Sequence, residues 1–412
     1  MLTNVRSMTV RYNYRLRVSR QQAESLEQVF DTCRSVWNHA LGRWQSAWRD
    51  EHLTLRYGDL DKELTARRAE LEWLRSVPSV PEQQVLRDLD KSISAFFDKK
   101  NPVGYPKFKK KDRYATARWT KRGYRVTGTG GGAAGDRLSV AAPDGRTELR
   151  VVWSRPLPSE PASVTIYRNA AGRYFASFVV KIDVPEERVS PTGDRTGLDV
   201  GLTTFATTEH ALHDIENPRY AQHAAKALAR SQRNVSSKKS GSANRKKAKR
   251  RLAREHARVA NQRLDFHHKA ARKLVEHYDA IGIEDLKTKN MMARGKSGNR
   301  RKKAGLNRSI SDASWAQFLR VLEFQAAKSG AEVVQIDPRN TTQCCSGCGT
   351  KAKSRLTLSD RVFRCDTCEL VLDRDRNAAR NLHPRDSQNR LDCTGRDDDG
   401  SKTTRSAELV AA

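Results

Sequence analysis

Apolar positions divide the chain into three differently patterned stretches. Residues 8–18, MTVRYNYRLRV, alternate apolar and polar side chains and predict a strand. Behind them Ser19-Arg20-Gln21-Gln22 has the S-x-x-Q form of a capping box, followed by Leu26, Val29, Phe30, Cys33, Trp37, Leu41 and Trp44 at helical spacing. That pattern runs on to about residue 98 with a break at Pro78 and Pro81, so residues 19–100 predict a small helical bundle with the aromatics in its core.

After Asn101-Pro102 the period changes to two. LRVVWS, SVTIYR and RYFASFVVKI read as strands, the last two joined across Asn169-Ala170-Ala171-Gly172 as a hairpin. One strand before the bundle and several after it predict a β-domain, residues 1–18 and 101–193, interrupted by the helical insert. Gly128-Thr129-Gly130-Gly131-Gly132-Ala133 superficially matches G-x-G-x-x-A, but no strand and helix flank it, so the run reads as a flexible loop. From residue 194 to 340 strands and helices alternate. TGLDVGLTTFATT is followed by a basic helical stretch over about 215–278, the strand AIGIEDL, the helix SWAQFLRVLEFQAAKSG and the strand AEVVQID. Such alternation predicts an α/β domain. A cysteine-rich segment, 341–370, and a last helix within 371–383 come next, and residues 384–412 are polar, patternless and predicted to be disordered.

Charge then narrows the function. Across 412 residues, 78 Lys plus Arg stand against 48 Asp plus Glu, a net charge of +30. Such a surplus needs a polyanion, and nucleic acid is the main one in a cell. No run of about 18 apolar residues exists and the N-terminus alternates, which predicts a soluble, cytoplasmic protein without a membrane partner. Seven Trp and clean apolar strands argue against global disorder.

Five of the seven cysteines crowd between Cys344 and Cys368. Cys345-x2-Cys348 and Cys365-x2-Cys368 are separated by 16 residues, the spacing of a four-thiolate zinc site. Two disulfides would be out of place in a reducing compartment. Gly349 suits the tight turn after Cys348, while Cys344, with an x3 spacing, and the distant Cys33 and Cys393 read as spectators.

Three acids stand out. In TGLDVGL, Leu198, Val200 and Leu202 share a strand face and Asp199 leaves the other beside Gly201; in AIGIED, Ile281 and Ile283 oppose Gly282 and Glu284. In LDRDRNAARNL, Asp373 is placed to cap the last helix, which leaves Asp375 free in its first turn. Strand-end salt bridges, a cap or an ion-pair network would account for each acid singly. Together, three carboxylates from separated segments can hold divalent metal for phosphodiester hydrolysis.

The order of TGLDVGLTTFAT, IGIEDLKTKNM, DASWAQFLRVLEF, DPRNTTQCCSGCG and CDTCELVLDRDRNAARNL, with VWNHAL and GYPKFKKK earlier, resembles the TnpB (OrfB) proteins of insertion sequences, relatives of type V CRISPR effectors, over roughly residues 8–383. The resemblance implies an RNA-guided DNA endonuclease of multidomain α+β fold. Its parts are a β-barrel-like wedge domain with a helical recognition insert, a RuvC-like, RNase H-fold nuclease domain, and a zinc ribbon. The family's catalytic acids fall on Asp199, Glu284 and Asp375, which would hold Mg²⁺, and its zinc ligands on Cys345, Cys348, Cys365 and Cys368. Thr342 stands where Ser is common, and Cys344 is an addition. Implied partners are a transposon-derived guide RNA, double-stranded target DNA and a transposase of the same element.

Basic segments gain meaning from this. Lys246, Lys247, Arg250 and Arg251 lie in a dense cationic run with sparse apolar positions at Leu252, Val259 and Leu264, a solvated helix face or a phosphate contact. Tyr105, Phe108 and Trp119 alternate with Lys107, Lys109, Lys110 and Lys111, which suits base stacking with backbone contact, or packing. His267 and His268 lack ligand spacing and read as ordinary helix residues. A non-catalytic nucleic-acid-binding transposition accessory or repressor is the rival reading, and an inactivated relative of that kind is expected to have lost an acid.

Overall fold

The alternating N-terminal segment forms β1 (Val5–Arg17), and the capping box starts α1 (Arg20–Glu51) as the sequence predicts. The Ser19 hydroxyl accepts the Gln22 N–H at 3.2 Å while the Gln22 side chain accepts the Ser19 N–H at 2.8 Å. In this computed structural model the described residues are 5–100, 103–111, 115–128, 136–188, 190–295, 299–352, 356 and 360–384. Most of the glycine run, Cys393 and nearly all of the predicted tail lie outside them.

Two compact units emerge. One comprises Arg6–Asp183 with Leu228–Ala257, the other Met1–Val5, Val184–Ala227 and Arg258–Ala412. In the first, α1 is followed by α2 (Tyr57–Glu70), α3 (Glu72–Arg75) and α4 (Ser79–Phe97). Pro78 is the cap of α4, but Pro81 sits inside its first turn, where a missing N–H costs nothing, so only one of the two prolines interrupts the helical pattern. Strands β2 (Thr116–Thr120), β3 (Tyr124–Thr127), β4 (Arg137–Ala142), β5 (Gly145–Val152), β6 (Ser163–Arg168) and β7 (Tyr174–Pro185) join β1 in a seven-stranded sheet ordered β2-β6-β7-β1-β5-β4-β3.

Strand β1, made before the helical insert, lies at the centre of strands made after it. The two edge strands, β2 and β3, are consecutive in the chain and joined by three residues, 121–123. A link that short forces the sheet to curl until its edges meet, giving a nearly closed barrel. Trp119, fully buried, donates its indole N–H to Ala141 O at 3.0 Å across that closure. It is therefore a packing residue, in contrast to the exposed Tyr105 and Phe108.

In the second unit, β9 (Thr204–Thr207) pairs antiparallel with both β8 (Arg195–Val200) and β10 (Ile215–Glu216). The predicted basic stretch is two helices, α5 (Tyr220–Ser236) and α6 (Ala243–His277), of which residues 228–257 belong to the first unit. After β11 (Ala280–Glu284) come α7 (Thr288–Met291), α8 (Arg300–Ala313), α9 (Trp315–Ser329) and β12 (Glu332–Ile336). The order is β10-β9-β8-β11-β12, with β8, β11 and β12 parallel; helices supply the long crossovers that parallel pairing requires. Leu198, Ile281 and Ile283 pack on one face with Phe205, Leu274, Phe318 and Leu322. His267 is buried in this core, its Nε2 3.1 Å from Ala313 O, and burial lowers its pKa to about 4. The hairpin β13 (Val362–Arg364) and β14 (Val371–Asp373) leads into α10 (Arg374–Asn381).

Candidate carboxylate site and thiolate knuckle

Parallel pairing between β8 and β11 sets Gly282 opposite Gly197 and Ile283 opposite Leu198. One step further, Glu284 comes level with Asp199. Since Leu198, Ile281 and Ile283 fill the core face, Gly197, Asp199, Gly282 and Glu284 occupy the other. Both acids thus end neighbouring parallel strands at their carboxyl ends, the customary position for α/β chemistry.

The paired glycines explain how the third acid arrives. A Cβ on Gly197 would lie 1.8 Å from Ala379 O, and one on Gly282 would lie 1.8 Å from Leu382 O. The backbone at the end of α10 therefore rests directly on both strands, an approach that only glycine permits. Asp373 caps this helix as predicted, accepting the N–H groups of Asp375 and Arg376, and Asp375 stands in the first turn. Arg376 clamps the helix through a bidentate pair with Asp214 at 2.7 and 2.8 Å. His383 Nδ1 lies 2.6 Å from Glu209, which also accepts the Gly197 N–H.

Asp199 feels the charge of both other acids, although among the described residues it is the four cysteines that gather as a metal-binding group. Burial first, then the negative charges of Glu284 and Asp375, push the Asp199 pKa up to about 8 against the opposing pull of Arg374. Burial raises the Glu284 pKa as well, opposed by the Thr341 hydroxyl, which donates to Glu284 Oε1 at 2.5 Å. Asp375 is ion-paired with Arg374 at 3.3 Å and Arg361 at 3.8 Å. The donor set is all hard oxygen, which fits Mg²⁺ or a similar divalent cation, whose charge would relieve the repulsion. With a pKa of about 8, Asp199 holds a proton at pH 7 that metal must displace, so the Mg²⁺ affinity of the protein is expected to rise by about fivefold from pH 7 to pH 8, by about twofold more to pH 9, and then level off. Calorimetric titration of Mg²⁺ at three pH values checks this, and a flat profile refutes it.

Cys345, Cys348, Cys365 and Cys368 bring their sulfurs within 4.8 Å of one another, the ligand group found among the described residues. Gly349 adopts φ 77° in the turn after Cys348, as its position suggests. The backbone N–H of Gly347 reaches Cys345 Sγ at 3.4 Å, and the set fits tetrahedral zinc. Cys344 is buried beside this group without joining it.

The knuckle is clasped to α10. Asn377 is fully buried, accepts the Ser346 N–H at 2.9 Å and donates to Cys344 O at 2.7 Å. Asn381 donates to Thr341 O and Cys344 O, both at 2.8 Å. These residues were missed by sequence reasoning, although polar side chains four apart on one face of a short helix were the available signal.

In the other unit, Lys246, Lys247, Arg250 and Arg251 are exposed on α6, while Ala248 is buried. Lys107 and Lys110 are exposed, and Tyr105 accepts a hydrogen bond from Gln45 at 3.1 Å. Lys109 differs: its ammonium sits 4.2 Å from the centre of the Trp37 ring, and its backbone pairs with Asn38.

A mixed five-stranded sheet, level strand-end acids and a clasped thiolate knuckle are the features this unit presents. Comparison with known proteins supplies the class. A family profile described as "Probable transposase", that of OrfB, matches residues 177–295, and a Cas12f1-like TNB-domain profile matches 315–382. A profile named for a helix-turn-helix matches residues 8–52, where the fold is β1 followed by the single helix α1. A Streptomyces pristinaespiralis protein named "Putative RNA-guided DNA endonuclease" is 37% identical over 90% of this chain and 88% of its own. InsQ of Escherichia coli K12, of the same description, is 31% identical over 90% of each. The chain belongs to the TnpB (OrfB) family. Its fold is similar to that in the cryo-EM structure of the Cas12f1–sgRNA–target DNA complex, with a TM-score of 0.57 at 14% identity over 88% of this chain and 82% of that one. The mini-RNA-guided endonuclease CRISPR-Cas_phi3 gives 0.53 at 9% identity over 91% of this chain and 92% of that one. No described helix is long and apolar enough to cross a membrane.

Proposed function

We propose that this chain is a transposon-borne, RNA-guided DNA endonuclease that cuts target DNA at a RuvC-like site made by Asp199, Glu284 and Asp375. The observation that carries the reading is the level pair Asp199 and Glu284 on adjacent parallel strands, with α10 bringing Asp375 across Gly197 and Gly282. A sheet that is antiparallel on one side of β8 and parallel on the other supports the RNase H-type assignment. Divalent cations such as Mg²⁺, bound by these acids, supply activation of water and stabilisation of the leaving oxygen. The chain's own work is positioning. Thr341 holds one oxygen of Glu284, which leaves the other for a ligand, and the Asp373 cap and Arg376–Asp214 pair hold the helix that presents Asp375. Zinc in the four-cysteine knuckle would keep the knuckle engaged with Asn377 and Asn381 of that helix.

In this reading residues 1–18 and 101–193 are the barrel-like wedge, 19–100 its recognition insert, 194–340 with 371–383 the nuclease domain and 341–370 the zinc ribbon. Lys107, Lys110, Lys246, Lys247, Arg250 and Arg251 contact guide RNA and target DNA, while Tyr105 offers a ring for stacking and Lys109 acts near Trp37. A transposase of the same element is a further partner.

The test is to sequence the RNA that copurifies with the protein and to incubate the complex with matching DNA, with and without Mg²⁺. A discrete species from the transposon end and Mg²⁺-dependent cuts are expected. Bulk ribosomal RNA without cutting would leave the accessory or repressor reading, and strand-transfer products would favour a transposase. Binding should also weaken steeply with salt. Replacing Lys246, Lys247, Arg250 and Arg251 together by Ala should reduce the slope of log affinity for RNA against log salt by up to about 3. An unchanged slope removes α6 from the interface.

A further inference from the structure

Helices α1 and α4 bring a group of aromatic rings to the surface of the unit formed by Arg6–Asp183 and Leu228–Ala257. Trp44 is buried and serves as its base, with its ring centre 6.4 Å from that of Phe97 and 6.3 Å from that of Tyr105. Phe96 stands 5.1 Å from both Phe97 and Tyr105. Outward of Trp44 the group is open: Phe97 is 62% exposed, and Trp48, one helical turn beyond Trp44, is 54% exposed. A fold that only needed these rings as core would have turned them inward, as it does with Trp37 and Trp119. Exposed aromatic patches of this size mark binding surfaces.

The surrounding charge selects the occupant. Lys99 and Lys100 follow α4 after Asp98, and Lys107 and Lys110 follow Tyr105, all exposed. The nearby acids are engaged: Asp98 accepts the Lys100 N–H at 2.9 Å, Asp50 pairs with Arg49 at 2.9 Å, and Glu51 pairs with Arg43 at 3.2 Å. Apolar ring faces bordered by lysines suit a strand of unpaired nucleotides, with bases on the rings and phosphates on the ammonium groups. A continuous duplex cannot use such rings, because its bases are already stacked on each other. The Tyr105 oxygen accepts a hydrogen bond from Gln45, and stacking on the ring faces is tolerant of sequence. When a guide RNA pairs with one strand of a target, the strand left unpaired is DNA.

We propose that Trp48, Phe96, Phe97 and Tyr105, edged by Lys99, Lys100, Lys107 and Lys110, form a base-stacking platform for the DNA strand displaced by guide pairing. The proposal rests on the RNA-guided reading above and adds to it a site and a ligand.

Full-length protein carrying its copurified RNA is mixed with target duplexes that hold 2-aminopurine at successive positions of the displaced strand. In parallel, the affinity of the protein for a short oligothymidylate is measured. Wild type should quench 2-aminopurine at a few adjacent positions. Phe97→Ala should lose that quenching and bind oligothymidylate about tenfold more weakly, at an unchanged melting temperature because the ring is exposed, and Phe97→Tyr should restore both. Wild-type quenching and affinity in Phe97→Ala combined with Trp48→Ala would overturn the platform while leaving guided cutting intact. Loss of copurified RNA from these variants, with oligothymidylate binding kept, would overturn it in favour of an RNA occupant. If wild type opens no target at all, the guided reading fails, and the oligothymidylate arm still decides whether the rings hold single-stranded DNA.

Discussion

Asp199→Asn is expected to abolish DNA cutting, by a factor on the order of 10³ or more at saturating Mg²⁺, while the RNA that copurifies stays the same in identity and amount. The substitution keeps the volume of the side chain and removes an ionisable group that the fold holds at a pKa of about 8. Its effect on stability should run the other way. A carboxyl whose folded pKa is raised disfavours the native state increasingly as pH climbs from the ordinary carboxylate range towards the folded value. Without Mg²⁺, the melting temperature of Asp199→Asn should therefore exceed that of wild type, with the gap widening up to about pH 8 and then constant. Cutting rates and melting curves on the same preparations check both halves. Undiminished cutting would remove Asp199 from the site, and a gap that shrinks with rising pH would show that its burial has been misread.

Gly282→Ala is the second large effect, although it adds a single methyl group. The new Cβ would meet Leu382 O at 1.8 Å and Ile336 Cδ1 at 3.0 Å. The first of these is backbone and cannot swing aside, so α10 must lift from β11 or the strand must shift between its two parallel partners. A loss of about 3 kcal/mol or more in stability follows, together with loss of cutting, because Asp375 travels on the displaced helix. Gly305 in α8 provides the contrast: a Cβ there meets nothing within 4 Å. Gly305→Ala should be neutral or stabilising by about 0.5–1 kcal/mol through helix propensity. Urea denaturation of both variants, with the cutting assay, separates the cases. If Gly282→Ala unfolds at the wild-type midpoint, the close docking of α10 is wrong.

Much of the site was legible before folding because its signals are local. Alternation in TGLDVGL and AIGIED points Asp199 and Glu284 away from apolar faces, the Asp373 cap follows from residue type and position, and paired C-x2-C motifs announce a thiolate group. The basic helical stretch was legible as helix but not as two helices, since charge masks the weak break near residues 237–242. Pro81 was misleading for a related reason: a proline in a first turn and a proline that ends a helix look alike until the start of α4 is known. The rings were the least legible. Trp119 and Phe97 sit in equally basic, aromatic-rich surroundings, yet one closes a barrel and the other faces outward.

By itself, the sequence determined the elements, the caps, the thiolate spacing and which acids leave an apolar strand face, because each depends on neighbours within a turn or a strand. Tertiary structure alone decided that Asp199 and Glu284 stand level, that Gly197 and Gly282 form one seat for α10, that Thr341 donates to Glu284, and that Asn377 joins the knuckle to the acids. Those facts are pairings between segments tens to more than a hundred residues apart. Periodicity states which face of an element needs a partner; only the folded chain states which partner covers it.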